Sequence, residues 1–101
     1  MIYFTQLIYI VPGEEAVFEE FEAVALPAIA RYHGQLLLRI RPAADAFIEH
    51  TLPPPYEVHL VSFETENDFN QFTKDEERQR FLHLKEKSIK EAWLIKGLRI
   101  A

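Results

Sequence analysis

The sequence predicts an α+β domain in which four antiparallel strands carry helices on one face. Three observations lead there. First, runs rich in Ile, Tyr, Phe and Val alternate with stretches whose apolar residues recur every three or four positions, in the order β-α-β-β-α-β. Second, the first and third strand runs are apolar on both sides, whereas the second and fourth carry Arg39, Arg41, Lys96 and Arg99. The former suit the centre of a sheet and the latter its edges. Third, the 101 residues are 49% hydrophobic and include no cysteine. That composition fits one domain (1–101) built on an apolar core and excludes disulfides and thiolate metal sites.

The first strand runs from Ile2 to Val11 and is stopped by Pro12-Gly13. From Glu14 the period changes, and Phe18, Phe21, Ala25, Ala28 or Ile29 and Tyr32 mark one face of a helix. Pro27 interrupts that pattern and predicts a kink or a split. His33-Gly34 ends it, with Gly34 as the expected left-handed cap. Gln35 to Arg41 is the second strand, Tyr56 to Glu64 the third. Between them lies an irregular stretch, 43–55, that ends in Pro53-Pro54-Pro55. Thr65-Glu66-Asn67-Asp68 has the form of a capping box and opens a helix carrying Phe69 and Phe72. Lys74-Asp75 breaks it, a second helical stretch carries Phe81, Leu82 and Leu84, and Glu91 to Ile100 is the fourth strand. This is the split βαβ, ferredoxin-like order, with strands one and three central and both helices on the same face.

Helices can cover only one face of such a sheet, yet the other face of strand one carries Tyr3, Leu7, Tyr9 and Val11. An apolar face of that size marks an interface, and a second copy of the chain is the economical cover, giving a homodimer. The formal net charge of -5 opposes electrostatic binding of nucleic acid. All of that excess lies in Glu14, Glu15, Glu19, Glu20 and Glu22, because residues 1–30 contain no Lys or Arg and the other 11 acids balance 11 bases. The interspersed signs between Lys74 and Lys90 suit a solvated helix. The longest apolar run is about half of the ~20 residues a membrane helix needs, and the N-terminus lacks the marks of a signal peptide. A cytoplasmic protein with no membrane partner is expected.

At this level the chain resembles the dimeric α+β barrel superfamily, in which two ferredoxin-like protomers set their sheets together. Leu26 to Gly34 resembles the helix-ending segment of the DUF1330 family, with His33 in place of the first of two glycines, and Val61 to Phe69 resembles that family's exit from strand three into helix two. NIPSNAP-like and EthD-like families share much of the pattern. The resemblance implies a small-molecule pocket between sheet and helices or inside the barrel. Similar folds include cofactor-independent monooxygenases, isomerases, haem-handling proteins and ligand-sensing domains. The expected function is therefore binding or conversion of a small hydrophobic or aromatic carbonyl compound or acid, without a cofactor. A non-enzymatic ligand-sensing or interaction module and a haem-binding protein are the alternatives.

Candidate site residues follow from chemistry. His59, on a central strand, is either a buried general base or a hydrogen-bonded core residue. Gln6 is the polar exception on an apolar face of strand one and either pairs across the sheet or meets a ligand. Arg39 and Arg41, two apart on one strand, can hold a carboxylate or phosphate or can serve as edge charge. Tyr9 and Trp93, with Tyr3, Tyr32 and Tyr56, line either an aromatic pocket or an interface. His33, His50 and His83 match no metal motif, and no metal site is expected. No phosphate loop or nucleophile elbow is present.

Overall fold

The computed structural model describes all residues from Met1 to Ala101. The order is β1 (Ile2–Ile10), α1 (Glu15–Arg31), β2 (Gly34–Ile40), a short 3-10 turn (Ala44–Ala46), β3 (Glu57–Phe63), α2 (Glu66–Thr73), α3 (Glu76–Arg80), α4 (Leu82–Ser88) and β4 (Ile89–Gly97). The sheet is fully antiparallel in the order β2-β3-β1-β4, so β1 and β3 are central. This is the ferredoxin-like α+β fold that the pattern predicts. The fourth strand begins two residues earlier than expected and ends three earlier. No helix is long and apolar enough to cross a membrane.

Strand periodicity decides which side chains meet the helices. On β1 the even residues Phe4 and Ile8 are buried under the helices, and on β3 Phe63, the partner of Ile2, and Glu57, the partner of Ile8, are buried with them. Phe4, Phe63 and Ile29 form a core onto which Phe69 and Phe72 of α2 close. The Phe4 and Phe69 rings stack 4.1 Å apart, and Phe63 meets Phe69 at 5.6 Å and Phe72 at 5.5 Å. Each buried Phe contributes about 2–3 kcal/mol of transfer free energy, so this corner anchors the chain.

Two expectations about α1 are corrected. Pro27 does not split it; a single helix runs from Glu15 to Arg31. Proline removes one backbone donor, but the residues around it, Ala25, Ala28 and Ile29, are buried, and that packing holds the helix together where local propensity alone would not. Nor is Gly34 the left-handed cap. His33 takes the left-handed conformation (φ 58°), with its ring 3.2 Å from Asp68 Oδ1 on α2. Gly34 instead opens β2, where a Cβ would lie 2.6 Å from both Ile29 Cγ2 and Phe63 Cε1. Glycine is needed there for close approach, not for its dihedral freedom.

The capping box at the start of α2 is present as predicted: Asp68 N–H donates to Thr65 Oγ1 (3.1 Å) and Thr65 N–H to Asp68 Oδ2 (3.1 Å). The chain also breaks at Lys74-Asp75. Asp75 then caps α3 by accepting from Arg78 N–H at 2.9 Å, while Tyr32 Oη donates to it at 2.7 Å and Arg31 Nη2 at 3.0 Å. The Tyr32 hydroxyl, then the Arg78 amide and Arg31, hold its carboxyl down to about 2 against the effect of its own burial. The second helical stretch is two helices, α3 and α4, that meet at Phe81.

Substituting Gly34→Ala forces Ile29 and Phe63 apart. A loss of about 1–3 kcal/mol is expected from such overpacking, measurable as a lower urea midpoint with an unchanged slope. An unaltered midpoint would refute the close-approach role.

Candidate functional site

The face that each charged residue of β2 occupies is set by a bulge. Leu36 pairs with Val61, but Leu38 pairs with Leu60, leaving Leu37 as an extra residue. One inserted residue exchanges the two faces of a strand. Leu38 and Ile40 therefore turn to the open face with Leu60 and Val58, and Arg39 pairs with His59 on the helix side.

The result is a charged cluster between β2, β3 and α1. Glu57 and His59, two apart on β3, are both almost fully buried, and His59 Nε2 lies 2.7 Å from Glu57 Oε2. Arg41 Nε donates to Glu57 Oε1 at 3.0 Å, and Arg39 Nε lies 3.1 Å from the same oxygen without hydrogen-bond alignment. Arg39 Nη2 also reaches both oxygens of Glu19 on α1 at 3.2 Å, and Arg41 pairs with Glu19 as well. Burial alone would raise the Glu57 carboxyl, but the adjacent guanidinium of Arg39 and the hydrogen bond from His59 outweigh it and hold it low. Burial pushes the His59 imidazole down, more than Glu57 lifts it. An ionised Glu57 can only accept, so a neutral His59 donates through Nε2 and keeps Nδ1 as its acceptor.

Beside this cluster a cavity of about 280 Å³ separates the sheet from the helices. Its walls are mainly Phe4, Phe21, Phe63, Phe69 and Phe72 with aliphatic neighbours, and its polar members are Gln6, Glu22, His59, Thr73, Arg78 and Lys85. Glu22 sits on the apolar stripe of α1, among Phe18, Phe21, Ala25 and Ile29, and is nearly fully buried. Burial first, and then the charge of Glu57, raises its carboxyl to about 7; Arg39, Arg78 and Lys85 pull the other way without prevailing. A carboxyl that exchanges its proton near neutrality in an apolar cavity is equipped for acid–base work.

The sequence-derived candidates divide between three places. Gln6 and His59 line the cavity and are register partners on β1 and β3. Arg39 and Arg41 face the helix side and meet Glu19 and Glu57, so they neither guard the edge nor face the open side. Tyr9 and Trp93 lie on the opposite face of the sheet, Trp93 opposite Leu7, and Tyr9 Oη donates to Pro53 O at 2.6 Å. Gln6, Arg39 and His59 thus share one side of the sheet, with Arg39 acting through Glu57. Glu22, Arg78 and Lys85 were not singled out by the sequence pattern. Glu22 carried a usable signal, an acid at the i+4 position from Phe18 inside an apolar stripe. His33, Glu64 and Asp68 bring ligand-type atoms within 4.8 Å of one another at the surface, where Asp68 already serves His33 and the α2 cap.

The fold has good counterparts among solved structures. The methylated RPA0582 protein, from Rhodopseudomonas palustris, superposes with a TM-score of 0.83 at 12% identity, over 99% of this chain and 81% of its own. An uncharacterised NIPSNAP domain protein from Burkholderia xenovorans gives 0.72 at 11% identity, over 100% and 96%. A Nitrosomonas europaea protein that bears antibiotic biosynthesis monooxygenase as a proposed activity gives 0.75 at 10% identity, over 100% of both chains. Likeness at this identity establishes the fold alone, a ferredoxin-like α+β domain. It bears out the NIPSNAP-like resemblance at the level of fold and does not show the narrower DUF1330 one. No protein-family model and no curated protein matches the sequence.

Replacing Glu57 by Gln removes the anion that His59, Arg39 and Arg41 share. Stability is expected to fall by about 3 kcal/mol, the low end for a broken buried pair because both arginines keep Glu19. Denaturant melts read the loss, and ¹⁵N NMR of the His59 ring should lose its single Nε2–H tautomer.

Proposed function

We propose that the chain binds a small, largely apolar carbonyl compound or acid in the cavity under α1 and moves a proton on it, in isomerase-like or cofactor-independent monooxygenase-like chemistry. The observation that carries this reading is Glu22: a buried carboxyl poised at about 7 on the wall of an apolar cavity that also holds the neutral His59. Deprotonated Glu22 takes a proton from the carbon beside the ligand carbonyl. The electron pair of that C–H bond moves to the carbonyl oxygen, giving an enolate. The Gln6 side-chain amide, which forms no hydrogen bond with the rest of the protein, can donate to that oxygen; if protonated Glu22 passes its proton to the oxygen, His59 Nδ1 can accept from the resulting enol. Where the ligand carries a C=C bond conjugated with the enolate, return of the proton to its far carbon shifts the double bond and isomerises the ligand. The same enolate is the species that a cofactor-free oxygenase exposes to dioxygen. The proposed activity of the Nitrosomonas europaea counterpart supports this choice of chemistry.

The same proposal includes a homodimer. Leu38, Ile40, Trp93 and Ile95 are each between 42% and 48% exposed on the open face of the sheet, an apolar surface that association would cover. Light scattering at micromolar concentration should give a two-chain mass, and Trp93→Asp should halve it. A monomeric mass for the unaltered protein would end this part of the reading.

Proton transfer is tested with 2-tetralone in D₂O followed by NMR. The protein should accelerate deuteration beside the carbonyl, faster as pH rises through about 7, and Glu22→Gln should slow it by roughly 10²-fold or more. Equal rates with and without protein would overturn the reading.

Glu22 also leaves a mark on stability. Arg39 from β2, Glu57 and His59 from β3, Arg78 from α3 and Lys85 from α4 face it. Its folded value of about 7 lies above the usual 4.5, so between those values the native state holds a proton that the unfolded chain has lost. Its contribution to stability therefore falls as pH rises across that window and levels off above it. Glu22→Gln should remove the fall and be the more stable protein at pH 8, by up to about 3 kcal/mol, in paired urea melts at pH 5 and pH 8.

A further inference from the structure

Two cations on the cavity wall have no anion in contact with them. Arg78 enters from α3 and Lys85 from α4, and both line the space that also holds Glu22. Each is partly buried, and burial pushes both down from their ordinary values; the positive charge of Arg78 lowers Lys85 further. Neither forms an ion pair, with Glu22 or with any other acid. Like charges brought together out of water are unfavourable until an anion joins them.

Arg78 is held in place nonetheless. Its guanidinium lies 5.7 Å from the Phe21 ring centroid and 5.3 Å from that of Phe72. Nη1 donates to Thr73 O at 3.2 Å, and the buried Nε–H has no acceptor. The Asp75 cap fixes the backbone from which it projects. A guanidinium seated against two aromatic rings, with one of its five N–H groups satisfied, is a pre-organised donor.

From this geometry we infer that Arg78 and Lys85 form an anion-binding subsite of the cavity, and that its ligand is a monocarboxylate with an apolar body of one or two rings. The inference rests on the cavity reading above and narrows it. Charge balance favours a single negative charge: Arg78 and Lys85 supply two positive charges, and an ionised Glu22 already offsets one of them. The remaining wall, 12 of 18 residues hydrophobic, leaves the rest of the ligand nothing polar to require beyond Gln6, His59 and Thr73. The volume, about 280 Å³, is nearly twice that of the ~150 Å³ cavity that takes up one benzene ring.

Calorimetric titration with 2-naphthoate and its neutral isostere 2-naphthamide, at neutral pH and low salt, tests this. The carboxylate should bind at least tenfold more tightly. Lys85→Met and Arg78→Met should each weaken naphthoate about tenfold and leave naphthamide within twofold; the methionine keeps the side-chain stem, and circular dichroism checks the fold. The comparison of the two ligands on the unaltered protein stands whether or not a variant folds. If both bind equally, the anion subsite is wrong and the apolar cavity reading survives. If neither binds, both are wrong. Equal loss of both ligands in the variants would also overturn the subsite, since it would make the two residues structural.

Discussion

The extra residue at Leu37 decides the chemistry of the buried side of the sheet. Without it, the alternation that puts Leu36 under α1 would put Arg39 and Arg41 on the open face. With it, both guanidinium groups turn inward and meet Glu57. Glu57 could not stay ionised almost completely buried without them, and without its charge His59 would have no partner to fix its tautomer. The two arginines also reach across to Glu19 and so tie the edge strand to α1. One register irregularity thus joins an edge strand, a central strand and a helix into one polar unit beside an apolar cavity.

The acidic bias of the first 30 residues takes a specific form in the fold. The helix that carries it is not simply a solvated acidic face. Glu19 meets the arginines of β2, and Glu22 is almost wholly withdrawn from water. The two are one turn apart, yet their environments set them to opposite tasks. Glu19 remains at a partly wet boundary with two cations in contact, whereas Glu22 has cations near but none touching. Distance from the guanidinium groups and depth of burial, not residue type, separate a structural acid from a titrating one.

Much of the architecture was legible because it rests on local pattern. Two-sided apolar runs placed β1 and β3 in the centre, and Thr65 with Asp68 announced the start of α2. What the pattern missed was settled by contacts between distant residues. Pro27 sits in an unbroken helix because its neighbours are buried. The left-handed position falls on His33 and not on Gly34, where Ile29 and Phe63 leave no room for a Cβ. Part of the site was visible: Gln6 and His59 stand out as polar residues on apolar strands. Arg78 and Lys85 did not, because in a run of mixed charges nothing local distinguishes a side chain turned inward from its solvated neighbours.

The junction of α4 and β4 has no linker. Ser88 ends the helix, Ile89 begins the strand, and the join is fastened by Ser88 Oγ donating to Leu84 O at 2.6 Å and by Val11 N–H donating to Ser88 O at 2.8 Å. Lys85 lies one turn before this join, and the edge strand with Trp93 and Ile95 follows directly after it. A displacement of Lys85 on the cavity wall therefore meets no slack segment before it reaches the outer rim of the sheet. The helix that lines the cavity and the strand that carries the open face are thus joined without a flexible segment between them.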